Sequence, residues 1–289
     1  MSSTNTTIKT NNSSKNNRSS LSIILIGFAV LIVLYYVYSI FVSYKTFRQT
    51  SPYLINGMID ATTSIKIPSF KIPNSISSSY GIEFTYSSWL YIDDSNFSSN
   101  RGSNCGDASL LHVFHKGSYD YVPTRSSTVT EEGTSVGYPL LQCPGVWLYP
   151  NTNKLNIRFN TYENIVETSD VGNIPLNMWV NLIIILIGSS IDIYINGNLK
   201  KRTKLVGVPK VNYGDLYITN WGGYQGYLSN FRYFNYAVEQ FTIDQIFKMG
   251  PSYNIAPDNS LTATANLSPN YWMTTGFPNS AISNTSSYL

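Results

Sequence analysis

This chain is poor in charge. Only 12% of its 289 residues are Asp, Glu, Lys or Arg, and the formal net charge is +3. So small and scattered an excess excludes a nucleic-acid groove, which needs a basic patch or stripe. Cysteine is almost absent, with only Cys105 and Cys143. Two are too few for a structural zinc site unless histidines complete it. The two histidines, His112 and His115, lie three apart on an expected strand, so alternation sends them to opposite faces, where they cannot share a metal. No serine or cysteine stands in a nucleophile motif, and no glycine-rich phosphate loop is present.

What the chain has instead is Ser, Asn, Ile and Tyr, with 23 Tyr alone. Tyr and Ile suit a pleated, half-buried surface, while Asn, Ser and Gly suit the turns between strands. The Ser-, Thr- and Asn-rich stretch 1–20 lacks apolar periodicity and reads as a disordered tail. Residues 21–43 then run without a single charge. At about 1.5 Å per residue, some 20 apolar residues cross the roughly 30 Å hydrocarbon core of a bilayer. The run is longer than a signal-peptide core and ends in bulky Tyr, Phe and Val, so it predicts a retained transmembrane helix in contact with lipid. Lys9, Lys15 and Arg18 precede it with no acidic residue, favouring a cytosolic N-terminus and an exported C-terminal domain.

Residues 44–79 read as a juxtamembrane connector with some strand content, because Pro68 and Pro73 argue against a central strand. Strand signals follow from Tyr80. Residues 83–92 alternate large apolar with small polar side chains, and 145–149 and 154–159 flank a Pro-Asn-Thr-Asn turn as a hairpin. Residues 181–187 are almost continuously aliphatic, as in a strand covered on both faces. Ile191, Ile193 and Ile195 then alternate up to Asn196-Gly197, the dipeptide of a type I′ turn. Residues 237–249 form the one convincing soluble helix, stopped by Gly250-Pro251, and 252–289 read as a polar tail. About ten strands predict an all-β antiparallel sandwich or jelly roll behind one transmembrane helix.

Several ordered segments carry a resemblance: Ser88-Trp-Leu-Tyr91, Phe114-His-Lys-Gly117, Pro144-Gly-Val-Trp-Leu-Tyr-Pro150 and Ile174-Pro-Leu-Asn-Met-Trp-Val180. Asp192-Ile-Tyr-Ile-Asn-Gly197 and Gly223-Tyr-Gln-Gly-Tyr-Leu-Ser-Asn-Phe-Arg232 continue the order. Over residues 80–251 this resembles the laminin-G-like, concanavalin A-like lectin/glucanase superfamily. The resemblance implies two curved sheets and a module that binds glycans or proteins, with some branches hydrolysing β-glucans; fold alone does not choose among these. Such a domain behind one anchor, in a chain of this composition, also looks like proteins of large DNA viruses. It would then sit in a virion or host membrane.

The hydrolytic branch sets its carboxylates as Glu-x-Asp-x-x-Glu, and no such run occurs here. Glu163 and Glu167 read as a solvated strand face, so a non-enzymatic recognition or adhesion module is expected. A structural protein packed in a membrane or capsid assembly is the alternative, and a divergent glycoside hydrolase the next. Trp147, Tyr149, Trp221 and Tyr224 lie at or near turns and are the candidate ligand-binding aromatics, while Trp89 and Trp179 are assigned to the core. Asp93 and Asp94, at a strand end, are the candidate ligands for a Ca²⁺; no other cofactor is implied. Exported, Cys105 and Cys143 would pair and close a loop of about 38 residues, worth about 2–4 kcal/mol. Asn96, Asn266 and Asn284 head acceptor sequons for glycosylation.

Overall fold

A computed structural model describes residues 12–97, 110–119, 139–150 and 152–256. The chain divides into two units, 1–51 and 52–289. The first contains one helix, α1 (Asn12–Thr50), whose segment Ser22–Phe47 is 26 residues long with a mean hydropathy of 2.6. Its Ile, Leu, Val, Phe and Tyr side chains are exposed on every side, a surface that water does not favour but lipid does. At 1.5 Å per residue the segment is about 39 Å long, enough to cross a bilayer with some tilt. A signal sequence has the same composition.

The second unit holds thirteen strands and one α-helix among its described residues. The strands are β1 (Tyr53–Asp60), β2 (Ile65–Ile67), β3 (Ile76–Ser78), β4 (Gly81–Ile92), β5 (Leu111–Gly117), β6 (Gln142–Leu148) and β7 (Leu155–Phe159). They continue with β8 (Glu167–Val171), β9 (Trp179–Ile187), β10 (Ser190–Ile195), β11 (Asn198–Lys204), β12 (Asp215–Ile218) and β13 (Gly226–Phe234). The helix is α2 (Gln240–Met249). Seven strands form one antiparallel sheet, ordered β1-β13-β4-β9-β10-β11 with β3 added beside β4. Six form the other, ordered β2-β12-β5-β6-β7-β8. This is the expected sandwich.

The sandwich begins earlier than the sequence suggested. Residues 44–79, expected as a connector, supply the outer strands of both sheets: β1 pairs with β13, and β2 with β12. The two prolines do not interfere, because Pro68 follows β2 and Pro73 follows a 3₁₀ turn over Ser69–Lys71. An edge strand also needs ladder bonds on one side only.

Between the sheets, Leu90, Ile92, Val146, Leu148, Ile157, Ile184, Leu186, Leu228 and Phe231 are fully buried. Strand β9 is the central plank of its sheet. Its alternate residues Leu182, Ile184 and Leu186 face the inter-sheet core, whereas Ile183 and Ile185 join a second cluster with Phe234, Val238, Ile243 and Ile246 of the α2 region. Helix α2 thus covers the outer face of the seven-stranded sheet, which explains the unbroken aliphatic run. Trp89 belongs there too, stacked on Phe247 at 5.9 Å. Trp179 is only half-buried, against the expectation, because it opens β9 beside Tyr91. The β10–β11 turn places Asn196 at φ 52° and Gly197 at φ 77°, the pair of positive values a type I′ turn requires. The edge strand β11 carries Lys200, Lys201, Arg202 and Lys204 and is largely exposed, which discourages edge-to-edge pairing.

Candidate functional site

The outer face of the six-stranded sheet is finished differently. Here β5 departs from simple alternation: His112 stands opposite Trp147, but Phe114 stands opposite Val146, so Val113 is an extra residue. This bulge brings His112 and His115 to the same side. Their rings meet, with His112 Nε2 2.8 Å from His115 Nδ1. The separation onto opposite faces expected from spacing therefore fails, and the bulge is the reason.

The tautomers of the pair follow from their neighbours. The backbone N–H of Asn220 donates to His112 Nδ1 at 2.9 Å, so that nitrogen is an acceptor and Nε2 carries the proton. His112 Nε2–H then donates to His115 Nδ1, leaving His115 Nε2–H to donate to the Ser118 carbonyl at 2.9 Å. Every ring nitrogen is used, and only if both histidines are neutral. Burial drives the His112 imidazole well below its usual range, and the neighbouring His115 adds to the shift. Burial lowers His115 to about 4, partly opposed by the Ser118 carbonyl.

Aromatic rings enclose the pair. His115 stacks on Tyr217 at 5.0 Å and on Trp221 at 5.6 Å, and Trp147 lies parallel to Trp221 at 5.9 Å. Tyr119 closes the stack over Trp221 at 6.0 Å. Trp221 is presented by an unusual turn: Thr219 and Trp221 both have positive φ, 51° and 54°, followed by Gly222 at 85° and Gly223 at 49°. Left-handed non-glycine residues cost energy and persist only where their surroundings fix them. Here Thr219 N–H donates to Val113 O, Thr219 Oγ1 to Thr63 O, and Gly223 N–H to Asn220 O. His112 anchors the middle of the turn through Asn220. Gly223 has no alternative, because a Cβ there would lie 1.9 Å from the Ala61 carbonyl oxygen.

Beside this turn is an open groove of about 370 Å³ lined by Ser64, Lys66, Tyr119, Tyr217, Asn220 and Trp221. Lys66 lies over the Tyr217 ring at 5.7 Å and pairs with Asp215 at 2.9 Å. Asn220 is 5% exposed, and its Oδ1 is buried without a hydrogen-bond partner. The groove thus offers the half-buried indole of Trp221, the largely exposed ring of Tyr119, a cation and the Asn220 amide. Apolar rings with a few placed polar groups are the usual make-up of a small-ligand site.

The four aromatics singled out from the sequence separate. Trp221 lies in the groove. Trp147 is 2% exposed and supports it from below, its indole N–H donating to Gln142 Oε1 at 2.9 Å. Tyr224 is fully buried, its hydroxyl donating to the Tyr227 carbonyl at 3.0 Å, so it offers no face to a ligand. Tyr149 is off the groove. Its hydroxyl donates to Asp170 at 3.1 Å, and Lys154 lies over its ring at 4.6 Å. Tyr119, Tyr217, Lys66 and Asn220 were missed, and only the strained Thr-Asn-Trp-Gly-Gly turn could have pointed to Asn220.

Several of the other candidates have structural duties. Asp93 Oδ1 accepts from Ser95 N–H at 2.8 Å, and Asp94 N–H donates to Asn177 Oδ1 at 3.1 Å, closing the 3₁₀ turn over Asp94–Phe97. Asn96 is 2% exposed, and its amide donates to the carbonyls of Asp93 and Gln225 at 2.6 and 2.7 Å. A glycan cannot be carried there without breaking those bonds, so the acceptor assignment at Asn96 is corrected. Asn266 and Asn284 lie outside the described residues, as does Cys105; Cys143 is a buried free thiol, pushed up by burial to about 12. Glu167 accepts from Val206 N–H, Gly207 N–H and Thr161 Oγ1, and Glu163 from Val208 N–H. Both carboxylates staple the 206–208 loop, Glu167 half-buried and Glu163 still exposed.

The family described as the concanavalin A-like lectin/glucanases superfamily, in its third laminin-G-type model, matches residues 60–244. No curated protein matches the chain. Solved structures that resemble it include the botulinum neurotoxin serotype D ligand binding domain in complex with N-acetylneuraminic acid, at 11% identity and a TM-score of 0.45, covering 67% of this chain and 42% of that one. Another is the botulinum neurotoxin type G receptor binding domain, at 13% identity and a TM-score of 0.41, covering 66% of this chain and 46% of that one. This chain spans less than half of the length of either.

Proposed function

We propose that this chain, which belongs to the concanavalin A-like lectin/glucanases superfamily, is a membrane-anchored, non-catalytic recognition module that binds glycan at the Trp221 groove. One observation carries the reading. A strained turn, fixed by a buried histidine pair, holds an indole at an open groove beside the Asn220 amide. Strain of this sort is retained where a site needs it. A sugar would lay its C–H face against the aromatic wall formed by Tyr119, Tyr217 and Trp221 and turn hydroxyls toward the Asn220 amide and Lys66.

The apolar segment Ser22–Phe47 supports the anchor, and the basic residues before it support a cytosolic N-terminus with the sandwich outside. In a large DNA virus the module would face outward from a virion or host membrane. Glycan-array binding by the full chain in nanodiscs tests the site. Selective binding should fall at least about tenfold on Trp221→Ala, the loss of a central aromatic anchor. Binding that survives this change, or no binding by the parent chain, sinks the reading. Protease protection on sealed membranes tests the orientation: digestion of the sandwich from the cytosolic side contradicts it.

A further inference from the structure

A second concave site lies between the sheets. It is a cleft of about 680 Å³ walled by Phe84, Tyr86 and Tyr233 of the seven-stranded sheet and by Lys116 and Cys143 of the six-stranded one. The loop carrying Val211 and Tyr213 closes one side.

Three polar groups on the walls of this cleft have donors to spare. Lys116 follows Phe114 by two residues, so its side chain turns inward with the core rather than outward with His115. Its ammonium donates to the carbonyls of Asn212 and Gly214 at 2.9 and 2.8 Å. An ammonium has three donors, so one remains. No carboxylate stands within ion-pair distance of it among the described residues. Asp215, a carboxylate that acts on it from farther away, is held by Lys66 at 2.9 Å and by Ser69 N–H at 2.8 Å. Tyr86 is 2% exposed and Tyr233 3% exposed, their rings 4.9 Å apart, and neither hydroxyl has a hydrogen-bond partner among the described residues. The half-buried ammonium keeps one donor free and neither hydroxyl is sealed from solvent, so all three can donate to an acceptor that enters the cleft.

The mouth has the opposite character. Phe70 is 76% exposed and Tyr213 81% exposed, Val211 is exposed too, and Ile72 is buried. A donor-rich, cationic interior behind an apolar rim fits a molecule with an acceptor-only anionic head and an apolar tail. We infer that this inter-sheet cleft binds an amphipathic carboxylate. Its head accepts from Lys116 and the Tyr86 and Tyr233 hydroxyls, and its hydrocarbon tail lies along Ile72, Val211 and the Phe70–Tyr213 rim. The site is separate from the Trp221 groove, with which it shares no lining residue.

Octanoate is a suitable probe and octan-1-ol its uncharged counterpart. Each is titrated by calorimetry into the full chain in zwitterionic nanodiscs, with empty nanodiscs subtracted. Saturable binding of one octanoate per chain is expected, at least about tenfold tighter than octanol, as a charge-assisted pair in a partly buried site implies. Lys116→Met should remove that preference while leaving octanol within about twofold, and Trp221→Ala should change neither. Should Lys116→Met fail to fold, Tyr233→Phe keeps the shape and removes one donor, weakening octanoate about threefold to tenfold. Octanoate that binds no tighter than octanol, or binds equally well to either folded variant, overturns the inference.

Discussion

The two sheets of the sandwich end in outer faces of different kinds. On the seven-stranded sheet, Ile183, Ile185 and Phe234 are closed over by Val238, Ile243 and Ile246 of the chain's own helix region. On the six-stranded sheet, a neutral histidine pair and the rings of Trp147, Tyr217 and Tyr119 pack around a turn held at positive φ, and a groove stays open beside it. The first face is simple hydrophobic burial, tolerant in detail and silent about function. The second spends polar burial and backbone strain to fix one indole. A fold that needed only to be covered there would use the first solution twice.

Four perturbations separate the two faces. The largest effect is expected on the closed one. Phe234→Ala should cost about 3–5 kcal/mol in urea unfolding, the usual loss for a fully buried aromatic. A loss under about 1 kcal/mol would mean that α2 does not seal that face. Next comes acid. His115 falls from an ordinary 6.5 to about 4 in the folded chain, and His112 falls further, so the unfolded chain binds more protons over this range. Stability is therefore full above about pH 6.5 and declines as pH falls toward 4. For His115 alone the loss reaches about 3 kcal/mol, from about 1.4 kcal/mol per pH unit. Unfolding curves that superimpose at pH 7 and pH 4.5 would contradict the neutral pair.

His112→Phe should follow, at about 1–3 kcal/mol, because it strands the Asn220 N–H and the His115 Nδ1 inside the protein. Trp221 fluorescence should show a more mobile indole, although no atom of the groove's own wall has been removed. Tyr149→Phe should do least. It deletes one partly exposed bond to Asp170, worth about 0.5–1.5 kcal/mol, and leaves glycan binding unchanged. A drop in binding there would move the site toward β7 and β8.

The closed face was the readable one. An aliphatic run through β9, an Asn-Gly turn and a Gly-Pro stop after α2 are local signals, and each stands where those signals placed it. The open face was mostly hidden from the sequence. Strand alternation assigns His112 and His115 to opposite sides, and the single extra residue that reunites them has no distinctive composition. Burial of Trp147 and Tyr224 depends on which strand lies opposite them, and no sequence window contains that fact. Asn96 matches a three-residue acceptor pattern, yet its amide is committed to Gln225, 129 positions away. Strand β2 is obscured for a different reason: Pro68 reads as a breaker in the sequence, yet it falls just outside the ladder.

The most direct measurement is glycan binding by the full nanodisc-embedded chain, compared between the parent and Trp221→Ala at pH 7.4, with unfolding curves showing both folded. The account predicts a selective glycan signal in the parent that drops at least about tenfold in the variant. An undiminished signal in a folded Trp221→Ala chain would contradict it and return the open face to architecture.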